Sequence, residues 1–201
     1  MSTRYIVIGV AELILAVGLG LFLRTFVSAF TFVKGNSMQP TLKNGDVAWV
    51  RMCRGRKSVL QRGDVVLCRY PGRGRKFFVK RIVGLPGDTV SRVSGVTMVG
   101  GVSLDARPYP ARGDYEYVLA EDEYFCVGDN RANSHDSRDW QRFGGNQVGP
   151  IRRSAICGVV RAVIWPGRSR RKIGREFTFA GVQPVLPPND MEDTENVEEQ
   201  E

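Results

Sequence analysis

"KFFVKRIVGLPGD", Lys76 to Asp88, holds the two signals from which the rest of the chain is read. Its first part is rich in Phe, Val and Ile and reads as an extended strand, on which side chains alternate between two faces. Phe78, Lys80 and Ile82 then share one face, and Arg81 points the other way. "LPGD" is a turn that stops the strand. The same grammar recurs in "DVAWV", "DVVLCRY", "YEYVLA", "EYFCV" and "ICGVVRAVIW". Each is short, rich in Val, Phe or Tyr, and bounded by Gly, Pro, Asn or Asp. No segment after residue 30 sustains a 3.6-residue period, and no internal repeat is visible. The body from residue 31 to 182 therefore reads as mostly β, an antiparallel architecture in one or two sheets. Residues 91–118, with "SGVTMVGGVSL" and "RPYPARGDY", read as an inserted hairpin or smaller lobe.

Length and charge bound the remainder. A chain of 201 residues accommodates one domain with a smaller lobe. The net charge of +8 is unevenly spread. Residues 190–201 carry seven acids and no base, leaving 14 acids against 29 bases over residues 1–189. Such a body favours anionic lipid headgroups or nucleic acid. "RSRRK", Arg168 to Lys172, reads as a solvated or lipid-facing run, because no nucleic-acid-binding signature accompanies it. No nucleic-acid partner is expected. Residues 187–201 follow two prolines, are acidic and lack aromatics, and read as a disordered tail. Cys53, Cys68, Cys126 and Cys157 are widely separated and lack metal-ligand spacing, so neither a metal nor another cofactor is expected. Buried thiols are the favoured reading, with disulfide pairing in an oxidising compartment the alternative.

The N-terminus points to a membrane. "YIVIGVAELILAVGLGLFL", Tyr5 to Leu23, has 19 residues and one charge, Glu12. At about 1.5 Å per helical residue it just spans a hydrocarbon core. Val27-Ser28-Ala29 resembles a signal-peptide cleavage site, but the apolar run exceeds the usual length of such a peptide, so an uncleaved anchor is expected. Residues 1–4 form a short segment before it. Arg4 and Arg24 flank the run and leave its orientation nearly balanced.

Two side chains then stand out as chemistry. Ser37, in "VKGNSMQPTL", lies between Gly35 and Pro40 in a segment unsuited to helix or strand. A serine hydroxyl needs a base before it attacks. The lone histidine, His135, lies in a polar loop beside Asp136, and adjacent residues do not orient one another as a triad requires. Lys80 sits instead among apolar neighbours on a strand. Burial disfavours the ammonium and lowers its pKa. An unperturbed lysine is neutral only about once in a thousand at pH 7.4, and bringing its pKa near 8 takes about 3 kcal/mol of differential desolvation. From spacing alone the commoner reading is a lysine that snorkels at a sheet edge. "GDNRANSHDSR", Gly128 to Arg138, is a dense polar stretch that reads as a surface loop with Asx turns, or as a brace for a site.

Taken together, "GNSMQPTL", "RGDVV", "FFVKRIVGLPGD" and "GDNRANSHDSR" resemble, in order and spacing, the boxes of bacterial type I signal peptidases. These are membrane-anchored Ser/Lys proteases that remove signal peptides from exported proteins. The resemblance runs from the anchor to about Trp165. It implies Ser37 as nucleophile and Lys80 as general base, which later protonates the leaving amine. It implies that Ser134 orients the lysine and that Asp129, Asp136, Arg138 and Arg81 support the site. Met38, Leu42, Phe78 and Val79 match walls of pockets for small side chains. It further implies a mostly antiparallel β catalytic domain close to the bilayer on the extracytoplasmic side of the plasma membrane. Its substrates would be signal peptides of preproteins with Ala-X-Ala-like sites.

Three departures accompany the resemblance. Gly35 stands where some members carry a serine that helps bind the oxyanion. One short anchor replaces the two spans of some members. "DWQRFGGNQVGP" is longer than the usual link after the last box. Two other readings remain: a Ser/Lys processing peptidase with a narrow client, and a membrane-tethered β-domain that binds peptide or lipid without catalysis.

Overall fold

The computed structural model describes residues 2–26, 28–53, 58–69, 76–105, 113–139 and 149–177. The expected acidic tail, 187–201, and most of "DWQRFGGNQVGP" lie outside the described residues.

The chain opens with helix α1, Ser2–Phe26, which outruns the expected anchor at both ends. Its side chains are described for residues 4–20, where every residue is exposed. Among the described residues no helix is long and apolar enough to cross a membrane.

Among the described residues after α1, every strand pairs antiparallel, with three single-turn 3-10 helices between strands. The main sheet comprises β1 (Ser28–Phe32), β2 (Val47–Met52), β3 (Val65–Arg69), β4 (Phe77–Gly84), β9 (Glu123–Val127), β10 (Ile151–Arg152) and β11 (Ile156–Trp165). Its order is β1-β2-β11-β3-β4-β9-β10, and β12 (Arg171–Lys172) adds to β11. A second sheet, β5 (Thr89–Val93), β6 (Val96–Val99), β7 (Val102–Ser103) and β8 (Tyr115–Val118), runs in the order β7-β6-β5-β8. It lies wholly between β4 and β9, which pair directly with each other. This accessory sheet starts at Thr89 rather than residue 91, because its first strand begins straight after the "LPGD" turn.

One turn design launches three of these strands. In "KNGD", "QRGD" and "LPGD" the third residue is Gly45, Gly63 or Gly87, at φ +90°, +88° and +86°. A positive φ at that position is what a type II turn demands, and glycine adopts it without strain. The following aspartate then accepts the N–H three residues back: Lys43 to Asp46 at 3.0 Å, Gln61 to Asp64 at 3.0 Å, Leu85 to Asp88 at 2.6 Å. Each aspartate also pairs with an arginine: Asp46 with Arg171, Asp64 with Arg175, Asp88 with Arg62.

Alternation along the strands makes three apolar clusters. On one face of the main sheet, Val66, Cys68, Ile82, Cys126, Ile151, Ile156 and Val159 pack with Phe78. On the other, Met38, Leu42, Val50, Val65, Leu67, Val160 and Val163 pack with Val79. The third joins the two sheets, with Val83, Phe125 and Val127 of β4 and β9 against Val90, Val99, Leu104 and Leu119. Cys53, Cys68 and Cys126 are buried free thiols, and Cys157 is a half-buried one. At the sheet edge Phe32 pairs with Val47, and Val47 with Trp165 across β11. Phe30, Phe32 and Trp165 are exposed.

Candidate active site

Lys80 lies at the middle of β4, 2 % exposed, opposite Val66 of β3. On the other side the register Arg81–Val127 places Gly128, the first residue beyond β9, across from it. Cys68 and Cys126 sit diagonally from Lys80 on these two neighbouring strands. The amine therefore emerges inside a sheet, between apolar side chains, and its Nζ donates to Ser134 Oγ at 2.9 Å. Burial holds the Lys80 pKa below the ordinary lysine value, against the opposing pull of Asp136. The same burial pushes the Cys68 thiol up to about 12. A thiol so placed stays protonated and adds no counter-charge to the lysine.

Arg81, on the opposite face, is 2 % exposed and fully engaged. Its Nε and Nη2 donate to the two carboxylate oxygens of Asp129, at 2.8 and 2.7 Å. Nη2 also reaches Thr41 Oγ1 at 3.2 Å, and Nη1 donates to the Gly63 and Gly174 carbonyls. One buried guanidinium thus ties the Ser37 loop, the loop after β9 and the segment after β12 to the lysine strand.

Ser37 is half-buried in the turn between β1 and β2. Met38 beneath it is 2 % exposed, and its carbonyl accepts the N–H of Leu42 at 2.8 Å. Asn130 fastens this turn from outside. Its N–H donates to the Ser37 carbonyl at 3.0 Å and its side-chain amide to the Asn36 carbonyl at 3.1 Å. Gly128 marks where the three pieces converge. A Cβ there would lie 2.3 Å from Ser134 Oγ and 2.4 Å from the Ser37 carbonyl oxygen. Only glycine lets the Ser37 turn and Ser134 come this close to the residue that lies across from Lys80.

The loop carrying Ser134 is held by an ion pair. Arg138 Nε and Nη2 donate to Asp136 Oδ1 and Oδ2, both at 2.9 Å, and Nη1 reaches Asp105 at 3.1 Å. Asp136 is fully buried and also accepts the Gly128 N–H at 3.0 Å. Burial pushes the Asp136 pKa up, but Arg138 and the Gly128 N–H outweigh it and hold the carboxyl below its usual range. His135 takes no part in this packing: its side chain is 63 % exposed and pairs with Asp139 at 3.4 Å.

So the sequence-derived candidates Ser37, Lys80, Ser134, Asp129, Arg81, Asp136 and Arg138 come together. The four suggested pocket walls divide. Met38, Leu42 and Val79 belong to one apolar cluster, whereas Phe78 packs on the opposite face with Cys68. Sequence reasoning passed over Gly128, Asn130, Asp105 and Thr41 as site residues. Gly128 and Asn130 were within sight, in the same dense box. Asp105 and Thr41 carry no local signal, since their roles arise from contacts made far along the chain.

The family model of signal peptidase, peptidase S26, matches residues 5–165. The chain belongs to that family. It is a serine peptidase, and so a hydrolase. Among its relatives are a probable signal peptidase I-2 of Synechocystis, 33 % identical over 78 % of this chain and 70 % of that one. Signal peptidase I S of Bacillus subtilis is 34 % identical over 80 % of this chain and 89 % of its own length. A signal peptidase I crystal structure from Enterococcus faecalis matches at 27 % identity and TM-score 0.38, over 51 % of this chain and 97 % of that chain. That superposition is too loose to bear on the fold.

Proposed function

We propose that this S26 peptidase removes signal peptides from exported preproteins, with Ser37 as nucleophile and Lys80 as general base. The observation that carries the reading is the desolvated Lys80 amine, hydrogen-bonded to Ser134 beside the Ser37 loop. A neutral amine held by Ser134 has a lone pair for the Ser37 proton, and the resulting ammonium returns a proton to the leaving amine. The tetrahedral oxyanion is bound by the Ser37 N–H. Asp129, Arg81, Asp136 and Arg138 keep the loops in register. Met38, Leu42 and Val79 form the apolar floor of the pocket for a small side chain, whereas Phe78 packs on the opposite face of the sheet. The substrate strand binds extended, after which cleavage follows a small residue.

The setting proposed for this chemistry is the membrane surface. Helix α1 supplies the single-pass anchor, residues 5–23, with the peptidase domain of residues 31–182 on the extracytoplasmic side. Phe30 and Phe32 on β1, just after α1, and Trp165 on β11, one strand further across the sheet, are exposed and suit an interface with anionic lipid. The basic body has the matching charge.

The test uses full-length protein in detergent and a precursor bearing an Ala-X-Ala site, with products read by mass spectrometry. Wild type and His135→Ala cleave after the small residue; Ser37→Ala and Lys80→Ala do not. The double variant loses little more than either single one, because the two groups act as a unit. Cleavage surviving in Lys80→Ala, or vanishing in His135→Ala, would overturn the assignment of the base.

A further inference from the structure

Three arginines are among the largest fully buried side chains: Arg81, Arg92 and Arg138. Two of them are satisfied. Arg81 and Arg138 each bind a carboxylate through two nitrogens and spend their remaining donors on carbonyls, a hydroxyl or a second carboxylate. Arg92 is different. It projects from β5 of the accessory sheet, opposite Thr97 of β6 and Tyr115 of β8, and is 1 % exposed. Its guanidinium carbon lies 4.8 Å from the Tyr115 ring centre. Nη2 donates to the Arg138 carbonyl. Among the described residues, Nε and Nη1 find no hydrogen-bond partner and no carboxylate pairs with the charge.

A buried cation with one hydrogen bond and one ring is a poor stabiliser. Its desolvation cost is large, and an apolar side chain of similar length would fill the space without it. What the charge does hold is one atom, the Arg138 carbonyl oxygen. Arg138 is the arginine whose side chain grips Asp136, and its own N–H also donates to Asp136 Oδ1 at 3.2 Å. Asp136 in turn holds the Gly128 N–H, and Ser134, two residues before it, holds Lys80.

We propose that Arg92 is a positioning residue for the catalytic base: through the Arg138 carbonyl, the accessory sheet sets the loop that keeps Ser134 and Asp136 against Lys80. This rests on the Ser37–Lys80 reading above. The groups facing Lys80 are Cys68 from β3, Cys126 from β9, and Ser134, Asp136, Arg138 and Asp139 from the loop. Only the last four move when Arg92 lets go. Loosening that loop admits water to the amine, and hydration favours the ammonium. The acid limb of the rate profile therefore moves to higher pH.

The experiment compares wild type, Arg92→Met and Arg92→Lys as full-length protein in detergent. It measures kcat and KM against pH on an Ala-X-Ala precursor, the melting temperature, and the titration of Lys80 by NMR on 15N-lysine-labelled protein, assigned with Lys80→Arg. In Arg92→Met the melting temperature holds or rises and KM stays within about twofold. Below the limb, kcat falls about tenfold for each pH unit the limb moves upward. Arg92→Lys, which keeps a charged donor, recovers most of the shift. An unmoved limb in Arg92→Met, or equal shifts in both variants, overturns the proposal. Should Arg92→Met fail to fold, Arg92→Gln takes its place with the same criteria. If Lys80→Ala still cleaves, the Ser/Lys reading has failed, and the NMR titration of Lys80 still decides whether Arg92 acts on that amine.

Discussion

Lys80 Nζ donates to Ser134 Oγ at 2.9 Å, with both side chains buried. On the proposed Ser37–Lys80 chemistry, a protonated amine has no lone pair for the Ser37 proton, so activity should fall as pH drops through the Lys80 pKa. Because burial lowers that pKa, the acid limb of kcat/KM is expected below the ordinary lysine value of 10.5. Replacing Ser134 with Ala leaves the amine unaimed. Initial rates are expected to show kcat down about a hundredfold with KM little changed, since a misplaced base costs the chemical step more than binding.

Gly128 is the tightest point of the site. The added methyl of Gly128→Ala must displace Ser134 Oγ or the Ser37 carbonyl, both closer than any real Cβ contact. The latter is also the oxygen that Asn130 binds through its backbone N–H. Overpacking of this kind destabilises by about 1–3 kcal/mol. The loss of activity should exceed what that destabilisation explains, with kcat down about a hundredfold in protein that is still folded by circular dichroism. Wild-type kcat in folded Gly128→Ala would show that the three pieces need not meet there.

Asp136 makes stability depend on acid. Its folded pKa lies below the ordinary 3.8, held there by Arg138 and the Gly128 N–H against the effect of burial. The stabilisation is fully present above about pH 4 and is lost as pH falls through the depressed folded value. Asp136→Asn should therefore melt lower than wild type at neutral pH, by an amount on the order of 3–5 kcal/mol for a broken buried pair. The gap should narrow toward pH 2 in a melting series. The same substitution removes a charge that raises the Lys80 pKa, so in any remaining activity the acid limb moves to lower pH. That is opposite in sign to Arg92→Met, which makes the two variants a matched pair.

The strands carrying the site were legible because their residues alternate and their ends are punctuated. Lys80 stood out as one cation on an apolar face, with Arg81 on the other face. The strand β1 was not legible. "SAFTF" comes just after an apolar helix, and its first residues, Ser28 and Ala29, also resemble part of a cleavage site. Residues 91–118 read only as an inserted hairpin or smaller lobe, because β6 and β7 are too short for alternation to accumulate. The ties of Arg81 to Thr41 and Gly174 join residues 40 and 93 apart in the chain, and no local pattern announces such contacts. Arg92 was invisible for a related reason. An arginine in a short two-sided strand reads as solvent-facing until the second sheet is folded over it.

Gly35, two residues before Ser37, stands where some signal peptidases carry a serine. Its φ is +92°, and its N–H donates to Asn44 Oδ1 at 2.9 Å. A side chain there meets no atom within 4 Å, so space is not the obstacle. The backbone is: a non-glycine residue in this region costs about 1–3 kcal/mol. Gly35→Ser and Gly35→Ala should therefore lower the melting temperature by similar amounts, and the serine hydroxyl should add nothing to turnover, because the strained turn does not aim it at the oxyanion. The comparison of kcat between the two variants is the check, since both bear the same backbone strain. A kcat for Gly35→Ser well above that of Gly35→Ala would mean that the hydroxyl has become a second oxyanion donor and that the turn relaxes to present it.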